Sequence, residues 1–160
     1  MARDLEPSEE QLRDCCAADV WLSRMSTARP FPSAEDALVL SDEIVLGLDD
    51  SALDQALAVH ARIGERRLGS TTEDRWSRSE QAGALAAGTD VQERLDKGNR
   101  RYEERFGHVF LIRAAGRSAG EMLAALEQRL GHDDDTERDV VRRELAEIVR
   151  LRLLKVVGLG

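Results

Sequence analysis

Three side chains of this sequence combine a reactive chemistry with a position in which that chemistry could be used. His60 follows Leu53 and Leu57 at helical spacing, so its imidazole should face inward at the end of a helix. Glu80 lies in the first turn of the next predicted helix, and Arg152 continues the apolar stripe of the last one. An imidazole near a carboxylate can transfer protons around neutral pH, because charge and burial shift its pKa within that range. The planar fork of an arginine can hold an anion through two hydrogen bonds.

Each of these side chains also has a structural interpretation. His60 could be a core histidine that hydrogen-bonds a backbone carbonyl, and the residues alone favour that interpretation. Glu80 could close a capping box, Ser77-x-x-Glu80, by bonding back to its own helix N-terminus. Small residues at positions 83, 84 and 87 would also let a ligand approach Glu80, so its two interpretations are evenly balanced. Arg152 could extend past the apolar surface into solvent, which is the interpretation that the residues alone favour.

Start and stop signals divide the rest of the chain into helices. Helix starts are predicted at Ser8, near position 18, at Ser33, at Asp49 or Asp50, at Ser77, at Thr89 or Asp90, at Ser118 and at Asp133. Two prolines, Pro30 and Pro32, end the second helix, and Gly107 ends the sixth. Residues 64–76 predict a polar loop, and the apolar run 109–112 is too short for a helix and more typical of extended chain. The predicted fold class is all-α, a single multi-helix domain over residues 1–160.

Composition and charge limit the kinds of function. The chain has 31 acidic and 23 basic residues, a net charge of −8, which argues against a nucleic-acid or anionic-membrane partner. No apolar run is long enough for a membrane span, and the acidic first ten residues do not predict a secretory signal. The adjacent Cys15 and Cys16 are typical of reduced thiols in a cytoplasmic protein. No Cys/His spacing predicts a metal site, and no motif predicts an organic cofactor.

Short motifs in a fixed order extend over most of the chain. They are Cys15-Cys16 with Trp21, Met25 and Arg29-Pro30-Phe31; His60-Ala-Arg-Ile-Gly64; Ser77-Arg-Ser-Glu80-Gln81-Ala-Gly83; Asn99-x-x-Tyr102-x-x-x-Phe106-Gly107-x-x-Phe110; Gly116-Arg-Ser118; Arg129-Leu130; and Leu151-Arg152-Leu153. In these motifs and their order the sequence resembles a bacterial member of the 2-oxo-4-hydroxy-4-carboxy-5-ureidoimidazoline (OHCU) decarboxylase family.

The resemblance implies an enzyme of urate breakdown, a carboxy-lyase that converts OHCU to (S)-allantoin and CO2. It implies an all-α single domain of the OHCU decarboxylase type, a homodimer without metal or cofactor, and hydroxyisourate hydrolase as the pathway neighbour. It also assigns roles to residues that match the family's motifs. His60 and Glu80 match the catalytic positions, and the matches to substrate-binding positions are Ser77, Gln81, Phe110, Leu111, Ile112 and Arg152. With these assignments, the catalytic interpretation of His60 is favoured over the core interpretation.

One departure from the family motif bears on activity. Ala61 stands where the family usually has a proline directly after the histidine, so a fixed φ angle beside the imidazole is lost. Two alternatives to the enzyme remain, the first supported by this change and the second by the acidic surface and amphipathic helices. One is a catalytically weakened relative that binds a ureide or heterocycle as a sensor. The other is a helical protein-interaction module with no small-molecule site.

Overall fold

A computed structural model describes residues 5–63, 72–82 and 88–157 of the chain. Within these ranges the backbone forms eight helices and no β-strand, which confirms the predicted all-α class. None of these helices is both long and apolar enough to cross a membrane. The helices are α1 (Glu9–Cys15), α2 (Asp19–Ala28), α3 (Ala34–Leu46), α4 (Asp50–Leu57), α5 (Thr72–Glu80), α6 (Thr89–Phe106), α7 (Ala119–Arg129) and α8 (Asp134–Val156).

The chain divides into two compact units. The first unit consists of Met1–Ala56 and Arg142–Gly160, and the second consists of Leu57–Val141. The boundary therefore falls near the end of α4 and again inside α8. Each unit has its own buried residues, described in turn below.

The first unit is built around the buried side chain of Trp21. Its indole Nε1–H donates a hydrogen bond of 3.0 Å to Ser41 Oγ on α3, which satisfies the polar edge of the ring inside the core. Two helices of this unit begin at a serine whose hydroxyl caps the helix N-terminus. The Ser8 hydroxyl accepts from the backbone of Gln11 in a capping box, and the Ser33 hydroxyl accepts from the backbone of Asp36 as a simple N-cap. Both predicted starts are confirmed.

The second unit contains a close packing of α6 against α7. A Cβ atom on Gly98 of α6 would lie 2.5 Å from Leu126 Cδ2, so a larger residue there would require the Leu126 side chain to shift. Gly107 ends α6 with a φ of 81°, a left-handed conformation that a residue with a side chain rarely adopts. The core of this unit comprises Ile63, Leu95, Tyr102, Phe110, Ile112, Ala114, Ala119, Met122, Leu123 and Leu126.

Two helix boundaries differ from those predicted. α4 ends at Leu57, so His60 lies beyond the helix rather than on its last turn. α5 begins at Thr72, so the predicted start at Ser77 is wrong, and Glu80 is the last residue of a helix instead of being in its first turn. The predicted loop at 64–76 is wrong for 72–76, which are helical. Its remaining part, 64–71, lies outside the described residues, as do 83–87.

Candidate active site

His60 is a buried side chain just beyond the end of α4. Its backbone N–H donates to the Leu57 carbonyl at 3.0 Å, which turns the chain after the last helical residue. The residue is 9% exposed, and Ala61 and Ile63, which follow it, are buried as well. The predicted burial of the imidazole is therefore confirmed, although the helix that was expected to present it stops three residues earlier. Burial by itself fits both the core and the catalytic interpretation.

Ser77 and Gln81 are two buried polar side chains one helical turn apart. They are 4% and 5% exposed. The Gln81 side-chain amide donates to Ser77 Oγ at 3.4 Å, and the Gln81 backbone N–H donates to the Ser77 carbonyl at 3.0 Å. The pair thus forms a polar patch inside the second unit.

Glu80 cannot act as a capping residue in this structure. Ser77 lies within α5, and Glu80 closes the helix at its C-terminal end, where the helix dipole disfavours a negative charge. The side chain is half-buried. The predicted capping box of Ser77 and Glu80 is therefore wrong.

Residues 110–112, called the wall segment here, are buried and non-helical as predicted. Phe110 and Ile112 belong to the core of the second unit, and Leu111 between them is 4% exposed. The Leu111 carbonyl accepts a hydrogen bond of 2.7 Å from Nη1 of Arg129, at the end of α7. The guanidinium carbon of Arg129 also lies 4.5 Å from the centroid of the Phe110 ring. One arginine therefore holds both the backbone and a side chain of the wall segment.

Arg152 is among the most buried large side chains of the first unit. It is 1% exposed, so the interpretation that it extends into solvent is wrong. Its charge acts on the two thiols of the same unit. Burial raises the pKa of Cys15 to about 12 and that of Cys16 to about 11, and the Arg152 charge opposes part of each rise. Both cysteines are free, as predicted, and protonated at neutral pH, so neither is a nucleophile.

The predicted site residues are divided between the two units. Arg152 belongs to the first unit, and the other seven belong to the second: His60, Ser77, Glu80, Gln81, Phe110, Leu111 and Ile112. Within the second unit, Ser77 and Gln81 are directly bonded, and Ile63, three residues after His60, packs in the same core as Phe110 and Ile112. That all eight residues line one pocket stays a prediction.

Two clefts in the described part of the chain are lined by other residues. One, of about 670 Å³, lies between α2 and α4 in the first unit and includes Asp19 and Gln55. The other, of about 380 Å³, lies along the start of α6 in the second unit and includes Arg62 and Asn99. Across residues 5–63, 72–82 and 88–157, no cluster of His, Cys, Asp and Glu has the arrangement of a metal site.

A buried ion pair in the second unit has no counterpart among the predicted site residues. Arg129 donates to Glu137 through Nε at 2.9 Å and through Nη2 at 2.6 Å, and both side chains are almost completely buried. The sequence does contain a signal for Arg129. It follows Met122 and Leu126 at spacings of four and three, so it stands on the apolar stripe of α7 as Arg152 does on that of α8.

Comparison with known proteins gives one consistent result. The sequence model of the OHCU decarboxylase family matches residues 3–154. The uric acid degradation bifunctional protein TTL of Arabidopsis thaliana is 30% identical over 155 residues, which are 95% of this chain and 48% of that protein. The OHCU decarboxylase of Amia calva is 29% identical over 143 residues, 88% of this chain and 79% of that protein. The chain thus spans about half the length of the Arabidopsis protein.

A solved structure agrees with these sequence matches. The crystal structure of an OHCU decarboxylase in the presence of (S)-allantoin has a TM-score of 0.81 with this chain and is 25% identical to it. The match covers 94% of this chain and 99% of that one. The resemblance that the sequence motifs indicated is therefore confirmed for the family and for the fold.

Proposed function

The chain belongs to the OHCU decarboxylase family, and we propose that it converts OHCU to (S)-allantoin and CO2 in urate breakdown, without a cofactor. The observation that best supports this proposal is a set of buried polar side chains at the family's motif positions. Four of these side chains are at most 9% exposed: His60, Ser77, Gln81 and Arg152. A chain that needed only a stable core would favour apolar residues there, because removing a polar group from water costs free energy that its hydrogen bonds largely serve to offset.

The substrate itself can accept the electrons that decarboxylation releases. Its carboxylate and hydroxyl share one ring carbon, and a C=N bond lies beside that carbon. When the C–CO2 bond breaks, the electron pair moves into the conjugated C=N system. The hydroxyl then loses its proton as a carbonyl forms, and the carbon that bears the ureido group gains one. The electron sink that pyridoxal or thiamine supplies in other decarboxylases is thus already present in the ring.

His60 carries out proton transfer at the hydroxyl–carboxylate end of the substrate in this proposal. The imidazole can accept and return a proton near neutral pH. Its burial next to Ala61 and Ile63 limits exchange with bulk water. Glu80, the last residue of α5, orients the imidazole or accepts hydrogen bonds from ring and ureido N–H groups.

The remaining site residues hold the substrate in one orientation. Ser77 and Gln81 supply a polar patch for the heterocycle, and the backbone of the wall segment lines the ring. Arg152 binds the oxygen-rich edge of the substrate through its two-pronged guanidinium. A fixed orientation lets the proton reach one face of the new stereocentre, which yields (S)-allantoin rather than a racemate.

The proposal extends to assembly and location. Residues 1–160 act as a single catalytic domain, two copies form a homodimer, and the protein works in the cytoplasm. The two free thiols and the acidic composition support a reducing, cytoplasmic setting. Hydroxyisourate hydrolase, the enzyme that produces OHCU, is the pathway neighbour.

The direct test compares the wild-type chain with His60→Asn in a coupled assay. Urate oxidase and hydroxyisourate hydrolase generate fresh OHCU, and the loss of its absorbance is followed after the protein is added. The wild-type chain should accelerate this loss, and His60→Asn should reduce the acceleration at least about a hundredfold, because it lacks a proton-transfer group. The far-ultraviolet helical spectrum of the variant should be unchanged.

Two outcomes would contradict the proposal. Retention of most activity in His60→Asn would remove His60 from the chemistry. A wild-type chain that binds (S)-allantoin by calorimetry but never accelerates the loss of OHCU would be a ureide sensor rather than an enzyme.

A further inference from the structure

We propose that Arg129 is a positioning residue for substrate binding and that its ion pair with Glu137 sets the conformation of the wall segment. This inference deepens the proposed function, on which its choice of substrate rests. Arg129 itself is not expected to touch the substrate. It acts through the Leu111 carbonyl and the Phe110 ring.

The hydrogen bonds of Arg129 reach in two directions. Nε and Nη2 donate to the Glu137 carboxylate, at 2.9 and 2.6 Å, and Nη1 donates to the Leu111 carbonyl at 2.7 Å. Because the guanidinium is planar and rigid, fixing it on the carboxylate also fixes the direction of the third bond. The backbone of the wall segment is thereby held relative to Glu137.

Glu137 is anchored independently of Arg129. It is fully buried in the first turns of α8, close to a helix N-terminus that favours a carboxylate. The hydroxyl of Tyr102 donates to its Oε2, and His132 Nδ1 lies 3.1 Å from its Oε1. Burial and the bond to Glu137 raise the pKa of Tyr102 well above its usual range, so the hydroxyl keeps its proton for this bond. These contacts fix the position of the carboxylate, which in turn orients the Arg129 guanidinium.

Stability alone does not explain this arrangement. A buried ion pair usually contributes little net stability, because removing both charges from water offsets their attraction. Apolar residues at 129 and 137 would extend the core of the second unit at lower cost in desolvation. They would leave the Leu111 carbonyl without its donor, however, and the wall segment without the contact between guanidinium and Phe110. What the pair adds over an apolar core is a defined backbone position at 110–112.

The test uses Arg129→Lys, with Tyr102→Phe as the matched control. Lysine keeps the positive charge beside Glu137, but an ammonium cannot reproduce the fork that spans the carboxylate and the carbonyl. We expect KM for OHCU to rise about tenfold with kcat changed less than about twofold, as for the loss of one charge-assisted positioning bond. Tyr102→Phe removes a bond to Glu137 but keeps the ring against Phe110 and the bond from Arg129 to Leu111. Because Tyr102 is only one of the groups that anchor Glu137, this variant should lower the melting temperature and raise KM by less than about twofold.

A double variant, Arg129→Gln with Glu137→Gln, covers the case in which Arg129→Lys does not fold. It removes both charges together and so leaves no unpaired charge in the core. It should also raise KM about tenfold or more, because the glutamine at 129 lacks the forked contact. A folded double variant with wild-type KM, or equal changes of KM in Arg129→Lys and Tyr102→Phe, would overturn the proposal and leave the pair a structural role only.

Hydrogen exchange separates failure of this inference from failure of the proposed function. The backbone amides of 110–113 should exchange at least about tenfold faster in Arg129→Lys than in Tyr102→Phe, since the bond from the guanidinium to the Leu111 carbonyl is lost only in the first. This comparison needs no turnover. If the wild-type chain is inactive on OHCU, the proposed function fails, while the exchange comparison still supports or refutes the positioning role.

Discussion

The four-residue pattern Ser-x-x-Glu has opposite outcomes at Ser77 and at Ser118, both in the second unit. At Ser118 and Glu121 it forms a complete capping box, in which the hydroxyl accepts from the Glu121 backbone and the carboxylate accepts from the Ser118 backbone, at 3.1 and 3.0 Å. At Ser77 and Glu80 the pattern lies inside and at the end of α5. Glu121 therefore closes a helix start, whereas Glu80 lies at a helix end.

The chain before each pattern explains the difference. A capping serine lies just outside the helix and has an extended backbone. Ser118 meets this condition, with φ −78° and ψ 160°. It follows a tight turn in which Gly116 has a φ of 80° and Arg117 bonds back to the Ala114 carbonyl. Ser77 follows Arg75 and Trp76, neither of which interrupts a helix. A capping pattern thus indicates a helix start only where the preceding residues break the helix.

The largest expected difference between the two glutamates is in turnover. Glu80→Gln should lower kcat at least about a hundredfold, because the carboxylate that orients His60 or holds the substrate is lost. Glu121→Gln should leave kcat near the wild-type value, since its side chain serves a helix start. Steady-state kinetics in the coupled assay measures both. A stable and fully active Glu80→Gln variant would show that Glu80 is no more important for turnover than Glu121.

A smaller difference is expected between the two serines in stability. Ser118→Ala should lower the free energy of unfolding by about 1 kcal/mol, the usual effect of losing an N-cap. Ser77→Ala should leave the starts of the helices intact and raise KM instead, since Ser77 belongs to the polar patch. Urea unfolding and the coupled assay, run on both variants, separate the two effects. A larger stability loss in Ser77→Ala than in Ser118→Ala would contradict this assignment.

The smallest expected effect is a pH dependence confined to the capping box. Hydrogen bonds from the Ser118 backbone and hydroxyl hold the pKa of Glu121 below its usual value of 4.5. The pKa of Glu121 is lower in the folded than in the unfolded chain, so the stabilisation that its carboxylate provides is fully present above the unfolded pKa. It is lost as the pH falls through the folded pKa. The stability difference between wild type and Glu121→Gln should therefore shrink below pH 4.5. A stability difference between the two proteins that grows as the pH falls would contradict this prediction.

Local chemistry made much of the fold predictable. The starts at Ser8, Ser33 and Ser118 follow from a hydroxyl that accepts from a nearby backbone N–H, which needs no information from distant residues. The stop at Gly107 follows from a left-handed conformation that glycine adopts readily. The end of α4 is different. No glycine or proline occurs at 58–61, so packing rather than a local signal ends that helix at Leu57.

The sequence predicted the burial of single residues in the candidate site better than it predicted contacts between distant residues. Helical spacing predicted the burial of His60, which the structure confirms although the helix ends at Leu57 and the residue lies beyond it. The pairing of Arg129 with Glu137 spans the turn between two helices, and its third contact reaches back to Leu111. Sequence spacing places an arginine on an apolar stripe but does not identify its buried partner. That information resides in the tertiary packing.

The most direct measurement is the circular dichroism of the product formed when the wild-type chain is added to freshly generated OHCU. Stereoselective decarboxylation predicts prompt growth of the (S)-allantoin signal, together with faster loss of the absorbance of OHCU. Slow conversion to racemic allantoin at the unassisted rate would contradict the proposed function, because a site that holds the substrate in one orientation must deliver the proton to one face.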